Sequence, residues 1–130
     1  MPAPEAKVTV LKKHILVVED DEDISAALLL LLSEHYAVDT AANGAEAAEK
    51  LRNDAYDAIV LDLMMPVMDG AALKKHLDEQ RVPVPVLLMS GNVELPDRAA
   101  ELGVDDFIAK PLDLSVLERR LAAILERHAA

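Results

Sequence analysis

Five short apolar segments alternate with five segments of helical character, and this alternation limits the possible folds more than any other feature. The clearest apolar segment, Ile59-Val60-Leu61, is too brief for a helix and suits a strand that is buried on both faces. Short strands that alternate with helices require parallel pairing, right-handed crossovers and helices on both faces of the sheet. The sequence therefore predicts an α/β protein.

The positions of these elements follow from local sequence signals. Apolar runs predict strands at residues 14–18, 37–41, 57–62, 86–89 and 107–109. Periodicity and caps predict helices at 24–34, 43–52, 69–79 and 96–102, and a last helix whose stripe is Leu114, Leu117, Leu121, Ile124 and Leu125. The simplest arrangement of this size is a flavodoxin-like, doubly wound sheet of five parallel strands in the order 2-1-3-4-5, with five helices.

Composition excludes several classes of function. A net charge of −11 argues against nonspecific binding to nucleic acid or to anionic membranes, which requires a basic surface. The absence of cysteine excludes disulfides, thiolate zinc sites and cysteine nucleophiles. The longest apolar run, residues 26–32, is too short to span a bilayer, and the N-terminus lacks the features of a signal peptide. We therefore expect a single cytoplasmic domain that contacts neither membrane nor DNA directly.

Polar side chains follow the predicted strands at the points where they end: Glu19, Asp20, Asp62, Ser90 and Lys110. The carboxyl ends of parallel strands meet at one edge of the sheet, so these side chains should converge. Three carboxylates that lie close together repel each other unless a cation is among them, and hard oxygen ligands favour Mg²⁺. With a lysine and a hydroxyl nearby, such a site can neutralise a phosphoryl group, and Asp62 can accept it as a nucleophile.

These residues lie in short motifs that occur in the order and spacing of a known family. The segments VVED at 17–20, DLMMPVMDG at 62–70, Ser90-Gly91 and Lys110-Pro111 resemble the receiver domain of two-component response regulators. The resemblance covers residues 13–128, so we assign residues 13–130 to a receiver domain and residues 1–12 to a flexible N-terminal leader. Because the chain ends soon after the fifth helix, we expect a stand-alone regulator without a DNA-binding output domain.

The resemblance implies a role for each acidic residue. Asp62 matches the phosphoacceptor, which receives its phosphoryl group from a sensor histidine kinase or a histidine phosphotransfer protein of a phosphorelay. Asp20 matches a direct ligand of Mg²⁺, together with Asp62 and the backbone carbonyl of Met64, whereas Glu19 matches a partner that acts through water. The protein is then a regulatory phosphoprotein that assists its own phosphorylation and dephosphorylation, and is not an enzyme acting on other substrates.

The remaining motif residues match the lysine and the switch of the family. Lys110 corresponds to the lysine that contacts the phosphoryl group, and the bond to Pro111 is expected to be cis. Ser90 corresponds to the hydroxyl that moves toward the phosphoryl oxygen, and Phe107 to the aromatic side chain that follows it. The resemblance implies that this movement remodels the face around strands four and five and thereby controls a downstream protein.

The sequence also departs from the family pattern. Met64, two residues after the phosphoacceptor, has no polar group to orient an attacking water, and Asn92 lies two residues after the hydroxyl. We expect these two positions to set the lifetime of the phosphate, with Met64 slowing its loss. Phe107 replaces the more common tyrosine and cannot donate a phenolic hydrogen bond. The short segment around Pro96 predicts an abbreviated fourth helix, which leaves open whether a phosphorylation-dependent interface forms there.

Three other functions remain open. A pseudo-receiver would act as a protein interaction module without phosphorylation, although the acidic set is complete. An aspartate-nucleophile phosphatase would need a second aspartate two residues after Asp62, where the chain has Met64. A flavin or nucleotide binder would need a loop rich in Gly, Ser or Thr after the first strand, where the chain has the acidic residues 19–23.

Five consecutive leucines, residues 28–32, exceed what one buried helical stripe requires. They either make a broad contact with the sheet or leave an exposed patch for docking on the helices of a kinase.

Overall fold

The computed structural model describes residues 12–65, 68–91 and 94–128. The strands are β1 (His14–Val18), β2 (Ala37–Ala41), β3 (Ala58–Asp62), β4 (Val86–Ser90) and β5 (Asp106–Ala109). The helices are α1 (Glu22–Leu32), α2 (Gly44–Asn53), α3 (Gly70–Glu79), α4 (Leu95–Leu102) and α5 (Leu114–Arg127). Apart from Lys12, the leader assigned to residues 1–12 lies outside the described residues, and so does Asn92.

The strands form one sheet in the order β2-β1-β3-β4-β5, and each neighbouring pair is parallel. This confirms the predicted doubly wound topology. Successive residues of a strand point to opposite faces, so one face of β1 presents Leu16 and Val18 while the other presents Ile15 and Val17. Both pairs are fully buried, as expected for strands that are covered on both sides.

Helices cover the two faces of the sheet unequally. Side chains of α2, α3 and α4 pack with Leu16 and Val18, and side chains of α1 and α5 pack with Ile15 and Val17. The longest helix, α5, has 14 residues. Within the described part of the chain, no helix combines the length and the apolar character needed to cross a membrane.

Side-chain caps fix where most of the helices begin. Asp21 accepts hydrogen bonds from the N–H groups of Asp23 and Ile24, so α1 begins two residues before its predicted start at residue 24. Asn43, Asp69 and Asp113 cap α2, α3 and α5 in the same way. All four capping residues belong to loops at the carboxyl edge of the sheet and hold those loops against the helices that follow.

The leucine run of α1 divides between core and solvent. Leu28 and Leu32 are fully buried, whereas Leu30 is 77% exposed and Leu29 is 39% exposed. Because successive residues are about 100° apart around a helix, five consecutive leucines cannot all reach the sheet.

The predicted apolar stripe of α5 needs one correction. Leu114 is 39% exposed, since it is the first residue of the helix and precedes the turns that lie on the sheet.

Candidate functional site

The acidic residues predicted from the strand ends lie together at the carboxyl edge of the sheet. Oxygen atoms of Glu19, Asp20 and Asp62 all lie within 4.8 Å of one another. Val18 and Leu61 pair in the sheet, so the residues that follow them leave β1 and β3 side by side. Glu19 and Asp62 are buried, whereas Asp20 is exposed. The cluster is therefore closed toward the sheet and open toward solvent.

Lys110 reaches this cluster from the loop after β5. Its Nζ atom donates a hydrogen bond of 2.8 Å to Oε1 of Glu19 and lies 3.4 Å from Oδ2 of Asp62. Its backbone N–H donates to the carbonyl of Ser90 at 2.9 Å. The peptide bond between Lys110 and Pro111 is cis, as predicted. The ammonium group of Lys110 thus lies within reach of both buried carboxylates.

Glu19 has a partner at each carboxylate oxygen. Lys110 bonds to Oε1, and the backbone N–H of Asp21 donates to Oε2 at 3.1 Å. The role of Asp21 as a support for Glu19 was not predicted, because its place in the acidic run indicated only a helix terminus. Both Glu19 oxygens are thus engaged within the chain, and Asp20 is the member of the cluster that is exposed to solvent.

Burial and charge shift the titration of the site. Burial raises the pKa of Asp62 to about 7, and its hydrogen bond to Glu19 and the charge of Glu19 add to the effect, while Lys110 acts in the opposite direction. Burial disfavours the charge of Lys110, but the hydrogen bonds and charges of Glu19 and Asp62 outweigh it and raise the Lys110 pKa. In the absence of a cation, Asp62 is therefore mostly protonated below about pH 7.

The donor set suits a small, hard divalent cation. Carboxylate oxygens converge, one of the three residues is exposed, and the repulsion that raises the Asp62 pKa would be relieved by added positive charge. Mg²⁺ prefers such sites, since it keeps several waters and uses one or two carboxylates. The residues present therefore fit Mg²⁺.

The two predicted switch residues lie on the neighbouring strands. Ser90 ends β4 and is fully buried, and it pairs in the sheet with Ala109, the residue before Lys110. Phe107 is half-buried and packs against the core on the side of α2, α3 and α4. The structure thus brings Ser90 next to the segment that carries Lys110, with Phe107 two residues before Ala109 on β5.

The loop after β3 is held at both of its ends. Next to Asp62, the N–H of Met64 donates to Oδ1 at 3.3 Å, and the side chain of Met64 is 64% exposed. At the far end, the N–H of Gly70 donates to the carbonyl of Leu63 at 2.9 Å. A further bond of 2.9 Å joins Gly44 N–H, at the start of α2, to the carbonyl of Met68. This contact was not predicted from the sequence, because the only local signal at position 44 was the start of the predicted helix at 43–52.

The cavities between helices lie away from this cluster. Two of them, of about 410 and 490 Å³, share Leu51, Arg52 and Val82 as lining residues. Val82 lies in the segment before β4, so these cavities belong to the amino edge of the sheet, whereas Asp62 lies at the carboxyl edge. The charged cluster, rather than these cavities, has the chemistry of a functional site.

Comparison with known proteins agrees with this geometry. Residues 15–122 match the family model of the response regulator receiver domain. The chain is 41% identical to the transcriptional regulatory protein TcrA of Mycobacterium tuberculosis over 116 residues, which cover 87% of this chain and 46% of TcrA. It is 38% identical over 120 residues to the alkaline phosphatase synthesis transcriptional regulatory protein PhoP of Bacillus subtilis, covering 90% of this chain and 50% of PhoP. The chain thus spans about half the length of these relatives.

A solved structure shows the same likeness in three dimensions. The receiver domain of the Francisella response regulator 1452 superposes with a TM-score of 0.85 at 30% identity, covering 91% of this chain and all of that one. Receiver domains are regulatory domains of two-component systems, and phosphorylation and Mg²⁺ binding are general features of the family. The match of the family model to most of the chain, together with the fold and the charged edge, shows that this chain belongs to the response regulator receiver domains.

Proposed function

We propose that this receiver domain takes a phosphoryl group from a histidine of a sensor kinase or phosphotransfer protein onto Asp62. The observation that carries the proposal is the position of the Asp62 carboxylate. It ends a buried strand, lies 3.4 Å from the ammonium of Lys110, and has two further carboxylates within reach of a shared cation. Each of these groups can be substituted by itself, so its contribution to phosphoryl uptake can be measured separately.

The transfer exchanges one bond to phosphorus for another. A carboxylate oxygen of Asp62 forms a bond to phosphorus while the bond between phosphorus and the donor imidazole nitrogen breaks. The electron pair of that bond remains on the imidazole nitrogen: a ring that is protonated on its other nitrogen leaves as neutral imidazole, and an unprotonated ring becomes neutral by taking up a proton from the solvent. The product is an acyl phosphate, and Lys110 Nζ would pair with one of its phosphoryl oxygens.

Mg²⁺ is the proposed cofactor of this site. Asp20, Asp62 and the backbone carbonyl of Met64 would hold it, and Glu19 would act through a bound water. When bound, the ion supplies positive charge against the phosphoryl oxygens. The chain itself provides the fixed positive charge of Lys110, which Glu19 holds at 2.8 Å.

Phosphorylation would act on a partner through Ser90 and Phe107. The added charge on Asp62 would draw the Ser90 hydroxyl toward a phosphoryl oxygen, and Phe107 would turn into the space that becomes available. This would change the face formed by β4, β5 and the short helix α4, which has eight residues. We propose that a downstream protein recognises this change.

The alternatives differ from this proposal in the polar groups that they require. A phosphorylation-independent pseudo-receiver would use the same fold without needing the Lys110–Glu19 ion pair. An aspartate-nucleophile phosphatase would need an acid where Met64 lies.

Measuring uptake of one phosphoryl group from a small-molecule phosphodonor, with Mg²⁺ and with a chelator, tests the proposal directly. Metal-dependent uptake supports the phosphoacceptor, and its absence in a folded, Mg²⁺-binding protein supports the pseudo-receiver.

The exposed side of α1 is the proposed docking surface for the phosphodonor protein. Leu30 is 77% exposed and lies on a helix that begins with the exposed acidic residues Glu22 and Asp23. Glu22 and Asp23 are the only charged residues of α1, while Lys12 approaches its C-terminal end, with Nζ 3.4 Å from the carbonyl of Ser33. A partner helix with an apolar centre and basic residues facing the amino end of α1 would complement both properties.

Substituting Leu30 by Asp should reduce transfer from the cognate kinase about tenfold or more, as expected for a central apolar contact. Uptake from a small-molecule donor should be unchanged, because Leu30 is exposed and lies outside the charged cluster. The two rates are measured side by side. Ala100→Asp, on α4 at the other face of the sheet, adds the same charge to an exposed position and should keep both rates. Equal loss in the two variants would refute this docking surface.

Substituting Met64 by Asn should shorten the lifetime of the phosphate about tenfold, because an amide can orient an attacking water and a thioether cannot. The Met64 side chain is 64% exposed beside Asp62, so the substitution should not disturb the core. Phosphate release after removal of the donor gives the lifetime. Met64→Leu, which adds no polar group, serves as the control, and an unchanged lifetime in Met64→Asn would contradict the expectation.

A further inference from the structure

Gly44, the first residue of α2, lies against the loop that follows β3. Its N–H donates a hydrogen bond of 2.9 Å to the carbonyl oxygen of Met68. A Cβ atom at this position would lie 2.5 Å from that oxygen and 2.7 Å from Cγ of Met68. Cβ atoms in proteins essentially never approach so closely, so even alanine would force Met68 to move. Much of that movement must come from the main chain, because the closest atom is a backbone oxygen.

The contact, rather than the backbone conformation, requires glycine at this position. Among the described residues the glycine with a positive φ is Gly103, at 65°. Gly44 lies in the first turn of a helix, where alanine is normally the better residue. A substitution of Gly44 by Ala therefore strains the loop and not the helix.

This loop carries the groups on which the proposed chemistry depends. Met64 offers its backbone carbonyl as a proposed metal ligand, and its N–H donates to Asp62 at 3.3 Å. The N–H of Gly70, two residues after Met68, donates to the carbonyl of Leu63 at 2.9 Å. This hydrogen bond restricts the movement of the main chain by which the loop could accommodate a displaced Met68. Supports of metal ligands typically change metal affinity by about 10- to 100-fold when they are removed.

We propose that Gly44 is a positioning residue for the loop after β3: its N–H and its lack of a side chain fix Met68, and thereby the main chain of Met64, whose N–H lies beside Asp62. The inference rests on the proposed function, because it assigns Gly44 a role in Mg²⁺ binding and phosphoryl uptake at that site. The support comes from α2, an element that carries none of the charged groups of the cluster.

Gly44→Ala and Gly103→Ala form a matched pair for the test. Both replace glycine by alanine, but Gly103 has open space around the position of Cβ and lies at the end of α4. Binding of Mg²⁺ is measured by calorimetry without phosphodonor, and phosphoryl uptake and the thermal midpoint are measured separately. Gly44→Ala should weaken Mg²⁺ binding about tenfold and slow uptake to a similar extent. Gly103→Ala should lower the midpoint by a few degrees and leave binding and uptake unchanged.

A second variant separates the main chain of Met68 from its side chain. Met68→Ala keeps the carbonyl that Gly44 binds, so Mg²⁺ affinity should stay within about twofold of wild type, which is small beside the tenfold expected for a lost support. A folded Gly44→Ala protein with wild-type Mg²⁺ affinity, or a Met68→Ala protein as weak as Gly44→Ala, would overturn the proposal. A loss of Mg²⁺ affinity in Gly103→Ala equal to that in Gly44→Ala would overturn it as well.

The role of Gly44 can still be decided when Gly44→Ala does not fold or when the wild-type protein takes up no phosphoryl group. Where Gly44→Ala does not fold, Asn43→Ala removes the acceptor for the Glu46 N–H at 2.9 Å and loosens the first turn of α2 without adding atoms beside Met68. Weaker Mg²⁺ binding than in Gly103→Ala then supports the proposal, and equal binding overturns it. A wild-type protein that binds Mg²⁺ but takes up no phosphoryl group would refute the proposed function, while the comparison of Mg²⁺ affinities would still decide the role of Gly44.

Discussion

Substituting Asp62 by Asn should abolish phosphoryl uptake from a small-molecule donor and from a kinase. The amide keeps the size of the side chain but lacks the charged oxygen that would form the bond to phosphorus. Glu19, the other buried carboxylate beside Lys110, accepts hydrogen bonds at both oxygens from Lys110 and from the N–H of Asp21, so it should not replace Asp62 as the acceptor. The intact mass after incubation with donor and Mg²⁺ gives the result: one added phosphoryl group in wild type and none in the variant.

Asp57→Asn is a suitable control for this experiment. Asp57 lies next to the opposite end of the same strand, is exposed, and accepts the N–H of His14 at 2.7 Å, which an amide oxygen can also do. Uptake should therefore persist in Asp57→Asn. Uptake of one phosphoryl group by Asp62→Asn at the wild-type rate would place the acceptor on another residue and would contradict the proposed function.

The same substitution should stabilise the metal-free protein at neutral pH by about 2 kcal/mol, less than the whole pKa shift would give because solvent screens part of it. Burial, then Glu19, raises the Asp62 pKa above its value in the unfolded chain, so the folded protein holds a proton that the unfolded chain has already released. Stability of the wild type thus falls as the pH rises from about 4 to about 7, and this loss is absent when Asn replaces Asp62. Lys110 keeps its shorter bond to Glu19, at 2.8 Å, in the variant.

Denaturant unfolding at several pH values, without Mg²⁺, measures this effect. The difference between variant and wild type should be small near pH 4, grow toward pH 7 and then level off. Addition of Mg²⁺ should narrow the difference, because the cation stabilises the wild-type cluster by binding to its folded form. A difference that stays constant across this range would show that Asp62 takes up no proton on folding.

Much of the fold could be predicted from the sequence, because the signals are local. Buried parallel strands are indicated by short apolar runs such as residues 59–61. The start of α2 is indicated by Asn43, whose side chain caps the helix where the sequence predicts that it begins. Given alternating strands and helices, the handedness of crossovers leaves few topologies, and the order β2-β1-β3-β4-β5 is the one observed. Convergence of Glu19, Asp20 and Asp62 then follows from the rule that parallel strands share a carboxyl edge.

The tertiary structure decided what local signals could not. The sequence could not say which leucines of α1 face the sheet, because all five are equally apolar; packing on β1 and its neighbours buries Leu28 and Leu32 and leaves Leu30 exposed. It could not indicate that Gly44 touches Met68, because the contact joins two segments that are distant in the chain and depends on how α2 meets the loop.

The chemistry of the site divides in the same way. The residue types that form the charged edge are set by the sequence, since each follows a strand at its carboxyl end. Their titration is set by the fold, because burial and the distance between Asp62 and Glu19 raise the Asp62 pKa, and neither quantity exists in the unfolded chain. The sequence by itself therefore determined the topology and the members of the site, and only the tertiary structure decided their distances, their burial and their supports.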